Sequence, residues 1–145
     1  MIIDRNLLFS DEQALTATAD AARSVPLKDA RDIANGVPLY LVFQVVETLD
    51  SAGEAATLTL TLTTDDNSGL SSDADLRTLA TTIPEASLVQ GYRRVFKIDP
   101  ELAWQTYAGL RYNVGTENFT AGKVTAFLTT DPEVWKAYES AQANG

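Results

Sequence analysis

Acidic and amide side chains crowd one short stretch, Asp65 to Asp75, DDNSGLSSDAD. Asp65, Asn67, Asp73 and Asp75 are hard oxygen donors of the kind that bind calcium. The twelve-residue EF-hand loop demands glycine at its sixth place and glutamate at its twelfth. Counted from Asp65, those places hold Leu70 and Leu76. That geometry is excluded, and only a less regular loop-built cation site stays open. The competing reading is a solvated turn, in which Asp and Asn bond their own backbone.

Other catalytic chemistry has little to work with. The chain has no histidine and no cysteine, which removes the commonest general base, the commonest metal ligand and any thiolate. Carboxylates are plentiful, but they fall in turns rather than as a pair held across a cleft, as glycoside hydrolysis requires. No serine sits in a nucleophile elbow and no glycine-rich phosphate loop is present. The expectation is a protein that is not an enzyme and needs no cofactor.

The charge balance narrows the partners. Eleven Lys and Arg stand against twenty Asp and Glu, a net charge of −9 in 145 residues. Binding to nucleic acid through phosphates needs a concentrated positive field. The nearest approach is Arg93, Arg94 and Lys97, which share one strand and must divide between its two faces. Nucleic acid and anionic membranes are therefore not expected partners. No apolar run approaches the ~18 residues of a membrane span. Asp4, Arg5 and Asn6 interrupt any leader-like apolar core. Asn118-Phe119-Thr120 fits a glycosylation acceptor but reads as a loop coincidence.

The elements that must carry these residues are mostly strands. Thr57 to Thr63 alternates leucine with threonine, putting Leu58, Leu60 and Leu62 on one face of a half-buried strand. Leu39 to Val46 is apolar at nearly every position, as in a strand covered on both faces. Further strands are expected at Leu79–Ile83, closed by Pro84, at Tyr92–Ile98 with Phe96 and Ile98 inward, and at Thr106–Val114 with Ala108, Leu110, Tyr112 and Val114 inward. The last is Lys123–Thr130, with Val124, Ala126 and Leu128 inward. Val25-Pro26-Leu27 reads as an edge strand, since proline cannot donate to a ladder. Asn35-Gly36 and Asp99-Pro100-Glu101 read as turns. The N-terminus reads as a strand or apolar arm from Ile2 to Phe9, followed by a cap-like Ser10-Asp11-Glu12-Gln13 and a loop. Asp131, Pro132 and Glu133 open a terminal helix over 132–143. About eight short antiparallel strands and one short C-terminal helix make a single all-β domain over 1–145, a β-sandwich or jelly roll. A chain of this length buries roughly 68–70% of its unfolded surface, enough for a two-sheet core without staples.

Two tryptophans punctuate this plan. Trp104 is expected in a turn and Trp135 in the terminal helix, where Val134, Trp135 and Tyr138 share a stripe. That stripe either covers the protein's own sandwich or docks on a partner. Aromatic residues at the core rim need no further role, yet Trp and Tyr are also the residues enriched at binding hot spots. Trp104, Val134, Trp135 and Tyr138, with Ile2 and Ile3, form the candidate partner interface. Sugar stacking on the tryptophans, in a carbohydrate-binding jelly-roll module displayed on a virion, is the alternative.

Five segments carry a wider likeness: MIIDRNLLFSDEQALTATA (1–19), ARDIANGVPLYLVFQVVE (30–47), LTLTLTTDDNSGLSS (58–72), VQGYRRVFKI (89–98) and LRYNVGTENFTAGKVTAFL (110–128). In this order and spacing the chain resembles the jelly-roll capsid cement, or decoration, proteins of tailed bacteriophages. The resemblance implies a structural virion protein made in the host cytoplasm and bound to the outer capsid surface. There it would bridge neighbouring major capsid proteins as a dimer, or alternatively as a trimer. That family has no catalytic signature to carry over, and the terminal helix has no counterpart in the likeness.

Overall fold

A computed structural model describes residues 7–27, 38–98 and 103–130. Nine strands lie within them: β1 (Leu8–Ala14), β2 (Ala19–Asp20), β3 (Val25–Pro26), β4 (Tyr40–Ser51), β5 (Thr57–Asp65), β6 (Ala74–Pro84), β7 (Arg93–Lys97), β8 (Tyr107–Gly115) and β9 (Phe119–Thr129). A 3-10 turn, Glu85–Ser87, follows β6.

Two sheets form, ordered β1-β9-β4-β7 and β2-β8-β5-β6, with β3 also pairing β8. All the pairings are antiparallel. If β2 and β3 are taken as one interrupted strand, the couples β1·β9, β2/β3·β8, β4·β7 and β5·β6 are the rungs of one long ribbon. Rolling that ribbon brings β9 against β4 and β8 against β5. This is the jelly roll, and the eight-strand all-β sandwich expected from the sequence is what the chain adopts. The 132–143 helix, the Asn35-Gly36 turn, Asp99-Pro100-Glu101 and Ile2 and Ile3 lie outside the described residues.

The core follows from the period of two. Leu58, Leu60 and Leu62 of β5 and Ala108, Leu110 and Tyr112 of β8 point inward from one sheet. Leu41, Phe43 and Val45 of β4 and Val124, Ala126 and Leu128 of β9 meet them from the other. At roughly 1.5–3 kcal/mol for each large apolar side chain, these two inner faces are the main source of stability. Tyr112 is fully buried, and its hydroxyl is 2.7 Å from Ser10 Oγ. Burial drives this phenol far above its ordinary pKa, and the bond to Ser10 offsets only part of that.

Several local expectations change. Ser10 to Gln13 is not a helix cap; it lies within β1, because β9 supplies a pairing partner that a local cap cannot match. Ala19–Asp20, read as loop, is the short strand β2 on β8. Strand β4 runs on to Ser51, and β6 begins at Ala74 rather than Leu79, since register with β9 and β5 extends both. The threonine face of β5 is not half-open: Thr61 and Thr63 are buried on it. The 66–72 turn brings Leu70 to Gly109, the residue opposite Thr63 on β8. Leu70, held at φ 53°, is buried there, and its side chain would collide with any Cβ at Gly109. Asn118-Phe119-Thr120 is no free loop; Phe119 is buried at the start of β9.

Candidate functional site

The acidic stretch is held by its own side chains. Asp65, at the end of β5, accepts hydrogen bonds from the amides of Asp66 (2.7 Å), Asn67 (3.3 Å) and Ser72 (3.0 Å). The Ser72 amide is the main reason its carboxyl sits below the usual carboxylate range. Asn67 Oδ1 accepts from the Gly69 amide at 2.7 Å. Asp73 and Asp75 belong to a different assembly. Arg111 of β8 donates Nη2 to Asp73 at 2.5 Å, Nη1 to Asp75 at 2.6 Å and Nε to Asp20 of β2 at 3.3 Å. The four oxygen donors singled out in the sequence are thus divided between a turn and an ion network. Among the described residues no group of three or more acidic side chains is arranged to hold a metal ion.

The Arg111 network carries three carboxylates on one guanidinium, an excess of negative charge. Asp73 Oδ2 is buried with no hydrogen-bond partner among the described residues. Burial, and then the neighbouring Asp73, push the Asp20 carboxyl up despite Arg111. Arg111 itself is desolvated, which would lower its pKa, but Asp73, Asp75 and Asp20 more than reverse this. The arrangement ties β2, β8 and the start of β6 together.

A second carboxylate works at the opposite end of the sandwich. Glu85 is buried and accepts from the Ser51 amide at 2.8 Å, from the Ser51 hydroxyl, and from the Ala56 amide at 3.2 Å. It clamps the turn between β4 and β5, and hence one sheet to the other. Desolvation would raise its pKa, but the Ser51 and Ala56 hydrogen bonds outweigh that and hold it low. Glu117 brackets the outer side of the same turn through the amides of Gly53 (2.7 Å) and Ala55 (3.4 Å).

Exposed apolar side chains stand at the β7 margin. Val89 and Val95, 48% and 36% exposed, are the exposed large hydrophobics among the described residues. Tyr92, Arg94 and Phe96 are their neighbours in sequence, and the Arg94 guanidinium lies 5.2 Å from the Phe96 ring centre. Tyr92 is fixed from below by an edge-on contact with buried Phe43, ring centres 6.5 Å apart. Register with β4 puts Arg93, Val95 and Lys97 on one face and Arg94 and Phe96 on the other, the division the sequence led us to expect. Charged side chains on a short edge strand discourage the addition of another strand. A partner here would therefore meet side chains, and arginine with tyrosine over an apolar centre is the composition of binding hot spots. Sequence reasoning passed over this patch, because an exposed valine is visible only once its strand is known to lie at a margin.

Of the residues singled out as a partner interface, Trp104 is half-buried and packed against the main core. Ile2, Ile3, Val134, Trp135 and Tyr138 lie outside the described residues. Among the described residues no helix is long and apolar enough to cross a membrane.

Comparison with known proteins adds the following. A family model described as Bbp16 matches residues 9–128, which take in strands from β1 to β9. No curated protein matches the chain. Among solved structures, a chain of the Israeli acute paralysis virus, from "Israeli acute paralysis virus heated to 63 degree - full particle", is similar at 12% identity and a TM-score of 0.31. The match covers 90% of this chain and 74% of that one. A likeness this slight carries no argument about function.

Proposed function

The chain belongs to the Bbp16 family, and from that premise we propose that it is a structural virion protein, a cement on the outer surface of a phage capsid. In this reading it bridges neighbouring major capsid proteins. The observation that carries the reading is the coincidence of sequence likeness and topology. The segments that resemble cement proteins contribute to β1, β4, β5, β7, β8 and β9, and these take their places in a jelly-roll order. The acidic exterior, at net −9, suits a protein crowded at high density on a shell and repelled by DNA. The attachment surface proposed is the β7 margin, Val89, Tyr92, Arg94 and Val95.

The mechanism is mass action with multivalency. A protein that binds assembled shell but not free subunits draws the equilibrium toward assembly. A dimer, or a trimer, makes its second contact intramolecular, so that two modest interfaces hold as one tight attachment. Each contact must bury more than ~1,000 Å² to be specific. Near-exclusive loading on the expanded shell over its precursor requires about 5.5 kcal/mol of differential affinity.

The test is cosedimentation of the purified protein with assembled shells, precursor and expanded, with light scattering for the state of the free protein. The expected result is saturable binding to expanded shells that V89D/V95D weakens at least tenfold while leaving the fold intact. Failure to bind complete particles, or binding displaced by sugars, refutes the cement reading.

A further inference from the structure

The 66–72 turn is a strap over the outer face of β8, pinned at several points. It leaves β5 at Asp65, and its Leu70 side chain lies against Gly109 of β8. Ser24, between β2 and β3, donates its hydroxyl to the Ser68 carbonyl at 2.8 Å. Just past the strap, Asp73 meets Arg111 through Oδ1. The Asp73 side chain is 8% exposed, and its buried Oδ2 has no hydrogen-bond partner among the described residues. The Asp20 carboxyl of β2 lies within hydrogen-bonding reach of Asp73 and shares Arg111 with it. Two carboxylates cannot bond one another while both are ionised, since each has only acceptors to offer. A second buried orphan is the Thr63 hydroxyl. It and Leu70 both crowd the point where a Cβ on Gly109 would stand, so Thr63 lies beside the strap's apolar plug.

We propose that Asp20 and Asp73 form a proton-binding site, taking up one proton between them on mild acidification and so latching the strap to β2 and β8. The proton sits between Asp73 Oδ2 and the Asp20 carboxyl, and turns a pair of acceptors into a donor and an acceptor. The orphan oxygen gains its partner, and the excess around Arg111 falls from two negative charges to one. The surrounding groups leave this place to a proton. Arg111, on β8, already divides its three nitrogens among Asp20, Asp73 and Asp75. Asp75, on β6, is well exposed and adds repulsion. Asp65, at the end of β5, is bound to the amides of its own turn, with exposed Asp66 beside it. Tyr107, on the same face of β8, stands opposite Asp65. Arg23, just past β2, is itself engaged. Strand β1 reaches this segment through neutral Gln13, which donates to the Asp20 carbonyl. Burial and the neighbouring Asp73 raise the Asp20 pKa, the direction a shared proton requires. The sign is opposite to that of the Glu85 clamp, whose carboxyl is held low. Acid that loosens the clamp fastens the strap.

The chain has no cysteine of its own, so Thr63→Cys puts a single thiol beside Leu70, where the native hydroxyl makes no hydrogen bond. The experiment is labelling of that thiol in the full-length chain with dithiodipyridine, a disulfide that reacts in acid as well as at neutral pH. Thiol chemistry cancels when Thr63→Cys is compared with Thr63→Cys/Asp20→Asn at each pH, because the amide of Asp20→Asn is a permanent donor to Asp73. Thr63→Cys is expected to label several-fold faster than the double variant at neutral pH. The two rates are expected to converge as pH falls to 3.8, the ordinary value for this carboxyl. The ratio at neutral pH is roughly tenfold for each pH unit by which closing the strap raises the pair's midpoint. Asp73→Asn is expected to remove the pH dependence as Asp20→Asn does. Asp75→Asn, which relieves Arg111 of one carboxylate without touching the pair, is expected to keep it. A ratio that does not change with pH overturns the proposal. So does loss of the pH dependence with Asp75→Asn, which assigns the effect to net charge around Arg111. Protection at neutral pH that appears with millimolar calcium and vanishes with a chelator also overturns it, and gives the place to a cation. Should Thr63→Cys fail to fold, hydrogen exchange of the Leu70 and Ser72 amides, bonded to Asn67 and Asp65, gives the same comparison with and without Asp20→Asn. No shell enters these measurements, so the latch and the cement reading stand or fall separately.

Discussion

Glu85→Ala tests the clamp between the sheets most directly. The carboxylate takes three hydrogen bonds, two from amides and one from the Ser51 hydroxyl. Ser51 and Ala56 are both buried, at 4% and 1% exposure, so water cannot replace what is removed. A buried amide left without an acceptor costs roughly 1–3 kcal/mol. With two such amides, and the hydroxyl free to turn elsewhere, the loss comes to about 3–5 kcal/mol. That is a large part of the ~5–15 kcal/mol holding a domain together, and lowers Tm by roughly 10–15 °C. Urea unfolding is the assay, with an unchanged m-value showing that the denatured state is the same. The pH dependence has a fixed sign. The folded pKa of Glu85 lies below its unfolded value near 4.5, so the clamp's contribution is complete above that value and is lost as pH falls through the folded pKa. Wild type and Glu85→Ala are therefore expected to converge in acid. A variant within about 0.5 kcal/mol of wild type at pH 7, the ordinary range of surface substitutions, refutes the reasoning. So does a difference that persists unchanged below pH 3.

Three further outcomes are expected. Gly122→Ala should cost about 3 kcal/mol or more, since the backbone there has φ 128° and a Cβ would lie 2.2 Å from Leu49 Cδ2; thermal unfolding reads it. Tyr112→Phe should cost only about 1 kcal/mol in the same assay, because Ser10 Oγ keeps its bond to Gln13 Oε1 at 2.6 Å. Asp20→Asn should leave stability at pH 7 near or above wild type. The Asp20 pKa is raised on folding, so its ionisation removes stability as pH rises through 3.8 and upward. Loss of that slope in a stability–pH profile is the check, and a fall in stability confined to neutral pH contradicts it.

The parts of this fold that could be read in advance are those in which a strand speaks for itself. Leu58-Leu60-Leu62, Ala108-Leu110-Tyr112 and Val124-Ala126-Leu128 alternate because one face is core, and the alternation survives whatever their neighbours are. Strand β2 is invisible by the same logic: two residues, Ala19 and Asp20, become a strand only because β8 offers a free edge. The burial of Thr63 goes with a turn that brings Leu70 into the space a side chain at Gly109 would take, a coincidence of residues far apart in the chain. Glu85 after a proline looks like any turn carboxylate; nothing in its spacing announces Ser51, 34 positions earlier. The acidic stretch was legible as a turn with a possible ligand role, and geometry resolved the choice by giving Asp65 to amides and Asp73 and Asp75 to Arg111. The β7 patch was not legible at all, since exposure of Val89 and Val95 is a property of the sheet margin.

The rolled-ribbon connectivity bears on how the protein is made. Strand β1 has β9 as its partner, so among the described strands the first to leave the ribosome waits for the ninth. Ribosomes add residues at about 5–20 per second, so an unpaired N-terminal half stands exposed for several seconds. Neither sheet can close until β8 and β9 have been made. Expression yield should therefore respond more to chaperone supply and growth temperature than the stability of the finished domain would suggest.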